Sequence, residues 1–134
     1  MSDAPAPLVV VAAVIEQEDR FLVTRRLAGT HLEGFWEFPG GKCEPGESHE
    51  HCLVREIDEE IGARIEVGRE ICTVTHDYGD RQIHLHFRAC RLLGPARPRL
   101  GQEMRWVART ALRTLPFPPA DRELIERLSR EDGC

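Results

Sequence analysis

Blocks of apolar residues separated by short polar stretches predict strands at the start of the chain. Residues 8–15 form the longest uninterrupted apolar run, which predicts a buried strand. Residues 20–26 alternate in polarity and predict its hairpin partner, with the polar residues 16–19 as the turn. Glycine and proline punctuate residues 27–46, which predict a long loop, and an irregular segment of this kind in a compact domain is usually functional.

The most strongly marked helix is predicted over residues 48–61. Ser48 has the residue type of an N-cap, and Glu47 and Glu50 place acids where the helix begins. Gly62 stands where a glycine commonly follows the last helical turn. These signals define both ends of the helix.

Three further strands and a second helix are predicted beyond residue 62. Residues 63–78, broken at Gly68, and residues 81–93 predict an antiparallel pair joined by a tight turn. A short strand is predicted over Met104–Ala108, and apolar residues at helical spacing predict a helix over residues 120–130. The order strand, strand, helix, strands, helix predicts an α/β fold in which helices cover a mixed sheet.

Length and composition predict one globular domain. The chain has 134 residues, of which 41% are hydrophobic and 31% charged, values close to the globular average. We therefore expect a single domain over residues 1–134, with loose ends at residues 1–7 and 131–134. The apolar runs are far shorter than the roughly twenty residues of a membrane span, and the first residues lack the basic start of a signal peptide, so we expect no membrane partner.

Charge and cysteine usage narrow the class of partner. The net charge is −5, from 23 acids and 18 bases, so the molecule as a whole repels a nucleic-acid polymer. A small anionic ligand stays compatible with this charge, because one divalent cation and a few arginines reverse the local field. The five cysteines are odd in number and lack C-x-x-C spacing, which favours a reducing, cytoplasmic location.

Three carboxylates project from one side of the first predicted helix. Glu56, Glu59 and Glu60 are spaced i,i+3 and i,i+4, where each pair of like charges destabilises a helix by about 0.2–0.5 kcal/mol. A bound divalent cation would turn this repulsion into coordination, and hard oxygen ligands suit Mg²⁺ or Mn²⁺. The alternative interpretation is a solvated acidic face that Arg55 and Arg64 neutralise.

The predicted loop and helix together contain a recognisable sequence motif. Residues 41–63 read GKCEPGESHEHCLVREIDEEIGA. It resembles the Nudix box, the signature of the Nudix hydrolase family, with Ala63 in place of a larger aliphatic residue as the one departure. The resemblance covers roughly residues 8–128 and is closest to MutT-type enzymes, which hydrolyse damaged nucleoside triphosphates, and to the bacterial CTP pyrophosphohydrolases. The residues that carry it are Gly41, Glu47, Arg55, Glu56, Ile57, Glu59, Glu60 and Gly62, with residues 23–26, 36–42, 83–86 and 118–121 outside the box.

The resemblance implies a fold, a reaction and a cofactor. The fold is a Nudix-type α/β/α sandwich. The reaction is in-line attack of water at a phosphorus of a nucleoside triphosphate, which needs no Ser or Cys nucleophile, and MutT-like enzymes release a nucleoside monophosphate and pyrophosphate. The cofactor is Mg²⁺, with Mn²⁺ as a substitute, and the implied ligands are Glu56, Glu59, Glu60 and the Gly40 carbonyl.

The same resemblance assigns catalytic and supporting roles. Glu47 supports the metal site, and Arg55 orients the carboxylates through an ion pair. The resemblance also places Glu59 and Arg55 among the catalytic residues. Glu56 is the first candidate for the base that deprotonates the water, and Glu103, in a loop where the family often supplies another acid, is the second.

The substrate contacts are less sharply defined by sequence. Lys42 and Arg26 are candidates for binding the phosphates, although Lys42 also fits a solvated loop and Arg26 the end of a strand. Phe38 is a candidate for stacking on the base or for a place in the core. Asp121 aligns with an Asn with which MutT proteins read the oxidised purine, or it is the first acid of the last helix. Arg81 is a weaker candidate for the same pocket.

Asp121 bears directly on the choice of substrate. An ionised Asp only accepts hydrogen bonds, whereas Asn both donates and accepts. The ionised form therefore favours exocyclic amino groups such as that of cytosine, and 8-oxo-dGTP is favoured only if the pocket keeps Asp121 protonated.

We assign no chemical role to two histidines and two cysteines. His84 and His86 share one face of a predicted strand but have no third ligand within reach by sequence, so we interpret them as ordinary sheet residues. Cys43 and Cys52 are interpreted as apolar fillers or unreactive thiols.

We therefore predict a monomer or homodimer that hydrolyses a damaged or noncanonical nucleoside triphosphate, of the 8-oxo-dGTP diphosphatase type, with Mg²⁺. A CTP or modified-dCTP pyrophosphohydrolase is the alternative within this class. From other classes, a Nudix module that senses nucleotides without hydrolysing them and an acid-faced structural domain stay open.

Overall fold

The computed structural model describes residues 6–130, which form seven strands and two α-helices. The predicted loose ends fall outside this range, apart from residues 6 and 7. The helices in this range are too short to cross a membrane. The strands are β1 (Leu8–Gln17), β2 (Arg20–Arg25), β3 (Trp36–Glu37), β4 (Gly40–Lys42), β5 (Ile65–Asp77), β6 (Gln82–Leu92) and β7 (Met104–Ala108); the helices are α1 (His49–Ile61) and α2 (Arg122–Arg130), with 3₁₀ turns at Arg109–Thr114 and Pro119–Asp121.

The strands form one mixed sheet, as the order of elements predicts. β1 is parallel to β6 over eight residue pairs, and β6 is antiparallel to β5. β4 pairs with the first half of β1, while β2 pairs with β3 and β7. The main path through the sheet is β3-β2-β1-β6-β5.

A helix packs on each face of this sheet. Leu53, Ile57 and Ile61 of α1 are fully buried against one face. Leu124 and Leu128 of α2 are buried against the other. The predicted α/β/α sandwich is confirmed, and its two apolar layers explain why β1 reads as a continuous apolar run.

Helix α1 begins and ends where its sequence predicts. The Ser48 hydroxyl accepts a hydrogen bond from the His51 N–H at 3.0 Å. Gly62 adopts the left-handed conformation, with φ 59°, and its N–H donates to the Asp58 carbonyl at 3.0 Å. These two caps position the acidic turn of the helix relative to the preceding loop.

Three predictions of local structure were wrong in detail. Strand β5 continues through Gly68, with a shifted register rather than a break, because a β-bulge accommodates the glycine beside β6. The loop over residues 27–46 contains β3 and β4, which are too short to produce an apolar pattern. The predicted hairpin of β1 and β2 forms only next to its turn, at two residue pairs, because β4 occupies the same edge of β1 further along.

Candidate active site

A salt-bridged clamp joins the loop before α1 to the helix. Arg55 Nε and Nη2 donate to the two carboxylate oxygens of Glu47 at 2.8 and 2.9 Å, and Nη1 donates to Glu56 Oε2 at 2.8 Å. Nη2 also donates to the Lys42 carbonyl at 3.2 Å, and Glu59 lies 3.5 Å from Nη1. The hydrogen bonds from Arg55 lower the pKa of Glu47 to about 2. Arg55, which stays charged and is held by Glu47, therefore fixes the orientation of the Glu56 carboxylate.

Two glycines let the loop backbone approach the acids of α1. The Gly40 N–H donates to Glu60 Oε2 at 3.0 Å. A Cβ at residue 41 would lie 2.2 Å from Glu56 Oε1, and a Cβ at residue 40 would lie 2.0 Å from the Val11 carbonyl oxygen. Backbone blocks a Cβ at residue 40, so close packing requires glycine there, whereas a Cβ at residue 41 would displace the Glu56 carboxylate. That the Gly40 carbonyl is a metal ligand stays a prediction.

Two acids of α1, Glu56 and Glu60, are drawn partly out of solvent, and the effect of their burial exceeds that of the neighbouring positive charge. Burial, followed by the charges of Glu37 and Glu56, raises the pKa of Glu60 to about 8. Burial also raises the pKa of Glu56, against the effect of Arg55. Glu56, Glu59 and Glu60 supply carboxylate oxygens, which are the donor type that Mg²⁺ and Mn²⁺ prefer, so the chemistry of these residues fits a divalent cation.

A cavity of about 400 Å³ opens beside the same loop. Apolar side chains of β1, β6 and Phe38 form most of its wall. A smaller pocket of about 160 Å³ is lined by Glu60, Arg26 and Glu37, and the last two residues also line the larger cavity. Arg26 and Glu37 therefore connect the acids of α1 with a space of the size used for small-molecule ligands.

Four of the five predicted substrate contacts line this cavity. They are Arg26, Phe38, Lys42 and Asp121. Arg81 lies elsewhere, since its Nε donates to the Ala6 carbonyl at 3.1 Å. The fold thus brings these four side chains to one cavity, and their contact with a substrate stays a prediction.

Phe38 and Asp121 are both deeply buried in the wall of the cavity. Phe38 is 4% exposed and stacks on Phe117, with ring centroids 5.5 Å apart. Asp121 is 6% exposed, and burial together with the nearby charge of Glu37 raises its pKa to about 7. Phe38 therefore belongs to the core while lining the cavity, and Asp121 is substantially protonated near neutral pH.

Glu103 lies on the surface between two arginines. Its carboxylate is 3.3 Å from Arg25 Nη1 and 2.9 Å from Arg105 Nη2. The neighbouring residue, Gln102, reaches the helix instead, because its side-chain amide donates to the Glu60 carbonyl at 2.9 Å. The loop that carries Glu103 is therefore anchored beside the acids of α1, while its carboxylate is held by ion pairs.

Glu37 is a site residue that the sequence analysis missed. It accepts a hydrogen bond from Arg26 at 3.1 Å and lines both the cavity and the smaller pocket. Burial raises its pKa, against the effect of Arg26. The signal that marks it is an acid inside the apolar run from Phe35 to Phe38, since such an acid needs a partner when it is buried.

The cysteines in the described range are free thiols rather than parts of this site. Burial raises the pKa of Cys72 and Cys90 to about 11 and that of Cys52 further. Thiols of this kind are poor nucleophiles at neutral pH.

Comparison with known proteins agrees with this geometry. The model of the NUDIX domain family matches residues 10–127. The chain is 36% identical over 118 residues to the CTP pyrophosphohydrolase of Escherichia coli (strain K12), which covers 87% of each protein. It is 32% identical over 123 residues to the 8-oxo-dGTP diphosphatase of the same organism, covering 91% of this chain and 95% of the relative. The solution structure of the E. coli ORF135 protein has a TM-score of 0.83 at 34% identity and covers 95% of both chains.

A mixed sheet between helices, with the acids of one helix clamped to a glycine-containing loop, defines a hydrolase of the Nudix class. The chain belongs to the Nudix family. Within that family it is a MutT-like Nudix hydrolase. The predicted family and enzyme class are therefore confirmed.

Proposed function

We propose that the protein hydrolyses a noncanonical nucleoside triphosphate to a nucleoside monophosphate and pyrophosphate, with Mg²⁺ as cofactor. The observation that carries this proposal is the continuity of the two halves of the site. Arg26 and Glu37 line both the pocket at Glu60 and the larger cavity that contains Asp121. A ligand with a base in the cavity can therefore extend its phosphates towards the acids of α1.

The roles of the chain's own side chains follow from their positions. Lys42 and Arg26 bind the phosphates, since both are cations at the cavity wall. Arg55 holds the Glu56 carboxylate through a 2.8 Å hydrogen bond, so that Glu56 accepts the proton of the attacking water. As water bonds to phosphorus, the anhydride bond between the α and β phosphates breaks and its electron pair stays on pyrophosphate.

Glu56, Glu59 and Glu60 would hold the cation, with the Gly40 carbonyl as a further ligand. The chemistry it supplies when bound is neutralisation of charge on the phosphate oxygens. This compensation matters for binding as well as for reaction, because a nucleoside triphosphate is strongly anionic and the chain carries a net charge of −5.

The state of Asp121 guides the choice of substrate. Because its pKa is raised to about 7, a large fraction of Asp121 is a carboxylic acid that both donates and accepts hydrogen bonds. MutT proteins read the oxidised purine with an Asn, which also donates and accepts, so 8-oxo-dGTP is the first candidate. CTP or a modified dCTP is the second, favoured by the 36% identity to a CTP pyrophosphohydrolase.

Free thiols at the described cysteines support a reducing, cytoplasmic location.

Pyrophosphate release from a nucleotide panel in Mg²⁺ tests this proposal. For Glu59→Gln we expect kcat to fall by about 10² or more, because a carboxylate that would hold the cation is removed. Glu50→Gln is the matched control: it removes the same charge from an exposed position of the same helix and should keep nearly full activity.

The outcome separates the open alternatives. Rates near background for both the native protein and Glu59→Gln would overturn hydrolysis and favour a nucleotide sensor. A kcat/KM for dCTP analogues tenfold above that for 8-oxo-dGTP would overturn the oxidised-purine assignment while leaving the reaction intact.

A further inference from the structure

A second cluster of side chains that can ligate a metal lies at the start of helix α1. The acids of the Nudix box on this helix, Glu56, Glu59 and Glu60 (the box acids), lie at its other end. His49 is the first residue of α1, Glu70 lies in the bulged part of β5, and His86 lies on β6. One donor atom from each residue lies within 4.8 Å of the other two. His49 and Glu60 are eleven residues apart, about 16 Å along the helix axis, so this cluster is separate from the hydrolytic site.

The sheet positions these three side chains from different elements. His86 Nδ1 is 2.7 Å from Glu70 Oε1, and the rings of His49 and His86 have centroids 4.3 Å apart. The register of β5 against β6 shifts on both sides of Glu70. A bulge of this kind redirects a side chain, and here it places the carboxylate beside the imidazole.

The protonation of His49 and Glu70 suits metal binding. Burial, followed by the charges of His86 and Arg88, lowers the pKa of His49, so the neutral ring that ligates metals is favoured. The hydrogen bond with His86 lowers the pKa of Glu70, so its carboxylate is ionised. The sequence alone left His86 without a third ligand, and the fold supplies Glu70 and His49.

We propose that His49, Glu70 and His86 bind a transition-metal dication of the zinc class. Two imidazoles and one carboxylate are a known zinc donor set, and imidazole nitrogen favours Zn²⁺ over Mg²⁺. Donor atoms around a tetrahedral Zn²⁺ lie about 3.3 Å apart. The donor atoms of the cluster lie within 4.8 Å of one another, so side-chain displacements of up to about 1.5 Å close it on the ion. The bound ion ties the start of α1 to β5 and β6, while the box acids at the far end of α1 keep their oxygen-only donor set.

Zinc titration against a chromophoric chelator, in millimolar Mg²⁺ and a phosphine reductant in place of a thiol that would bind Zn²⁺, tests the site. We expect the native protein to bind one Zn²⁺, and His49→Gln and His86→Gln to weaken that binding by roughly tenfold or more. His84→Gln is the matched control, because His84 lies two residues away on the same strand and outside the cluster. It should bind Zn²⁺ like the native protein.

Thermal unfolding gives a second readout that does not depend on catalysis. Zn²⁺ should raise the Tm of the native protein and of His84→Gln but leave that of His86→Gln unchanged. Circular dichroism of each variant without metal checks that it folds. Equal Zn²⁺ affinity in the native protein and both cluster variants, or no Zn²⁺ uptake by the native protein, would overturn the site. Neither result bears on pyrophosphate release, which has its own test.

Discussion

At the scale of single residues, burial gives ordinary carboxyl groups unusual protonation states. Asp121 would be ionised at neutral pH on the surface, but at 6% exposure and near Glu37 its pKa rises from 3.8 to about 7. Below that pH its carboxyl group donates a hydrogen bond, and above it the group only accepts. The change falls within the physiological range, so under the proposed function we expect the pH to control which base edge the cavity recognises.

We expect the ratio of kcat/KM for 8-oxo-dGTP to that for dCTP to fall by about tenfold between pH 6 and pH 8. The sign follows from loss of the Asp121 proton, which removes the donor that the oxidised purine uses while keeping the acceptor for an amino group. Steady-state assays at both pH values measure the ratio. The other titratable groups that line the cavity act on both substrates, so their effects on the ratio largely cancel; they are Arg26, His31, Glu37, Lys42, His76 and Tyr78.

Asp121→Asn is the control for this prediction. Its amide donates and accepts at every pH, so the ratio should stay constant between pH 6 and pH 8. A constant ratio in the native protein, or the same slope in Asp121→Asn, would contradict the role of the Asp121 proton.

At the scale of elements, the site depends on how closely β4 approaches both β1 and α1. Gly40 is packed against the backbone of Val11, whereas Gly41 is packed against the side chain of Glu56. Backbone cannot move aside without distorting the sheet, but a glutamate side chain can rotate away. The same substitution at the two neighbouring glycines should therefore have different consequences.

We expect Gly41→Ala to lower kcat by tenfold or more while the fold stays intact, because the new methyl group displaces the Glu56 carboxylate. Gly40→Ala should instead lower the free energy of unfolding by about 1–3 kcal/mol or more, through overlap with the strand. Urea unfolding and pyrophosphate release measure the two effects. Gly94→Ala, where a Cβ meets open space, is the neutral control. Equal losses of stability at residues 40 and 41 would refute this distinction.

At the scale of the whole molecule, one buried arginine joins segments that are distant in sequence. Arg109 is 5% exposed and donates to Asp19 at 2.7 Å, to Glu16 at 2.8 Å and to the Leu128 carbonyl at 2.8 Å. The β1–β2 turn is thereby tied to helix α2 across the 3₁₀ turn that contains Arg109. This contact holds α2, and with it the segment that ends at Asp121, against the sheet.

We expect Arg109→Met to lower the free energy of unfolding by about 1–3 kcal/mol, because it leaves a buried carbonyl without its donor. Arg91→Met removes an arginine from an exposed ion pair with Glu66 and should cost less than about 1 kcal/mol. Urea denaturation of both variants measures the difference. Indistinguishable midpoints for the two variants would show that the Arg109 contacts do not stabilise the assembly.

Much of this organisation is readable from local sequence. Helix α1 has its N-cap at Ser48 and its terminal glycine at Gly62, and both signals act within one turn of the chain. The box acids follow from the same helical periodicity, since residues three and four apart share one face. Local rules of this kind predict the helix and its acids, whereas the ion pair of Arg55 with the carboxylates was implied by the family resemblance.

Contacts between distant segments required the folded chain. Glu37 is a site residue because the sheet brings Arg26 and Glu60 to it, and Glu70 meets His86 because a bulge shifts the register of β5. The raised pKa of Asp121 likewise depends on burial that its neighbours in sequence do not create. The sequence by itself determined the longer elements, because capping and periodicity act locally, and it determined the family through the resemblance of residues 41–63 to the Nudix box. The tertiary structure decided the cavity, its protonation and the second cluster, since desolvation and long-range pairing exist only once the layers have packed.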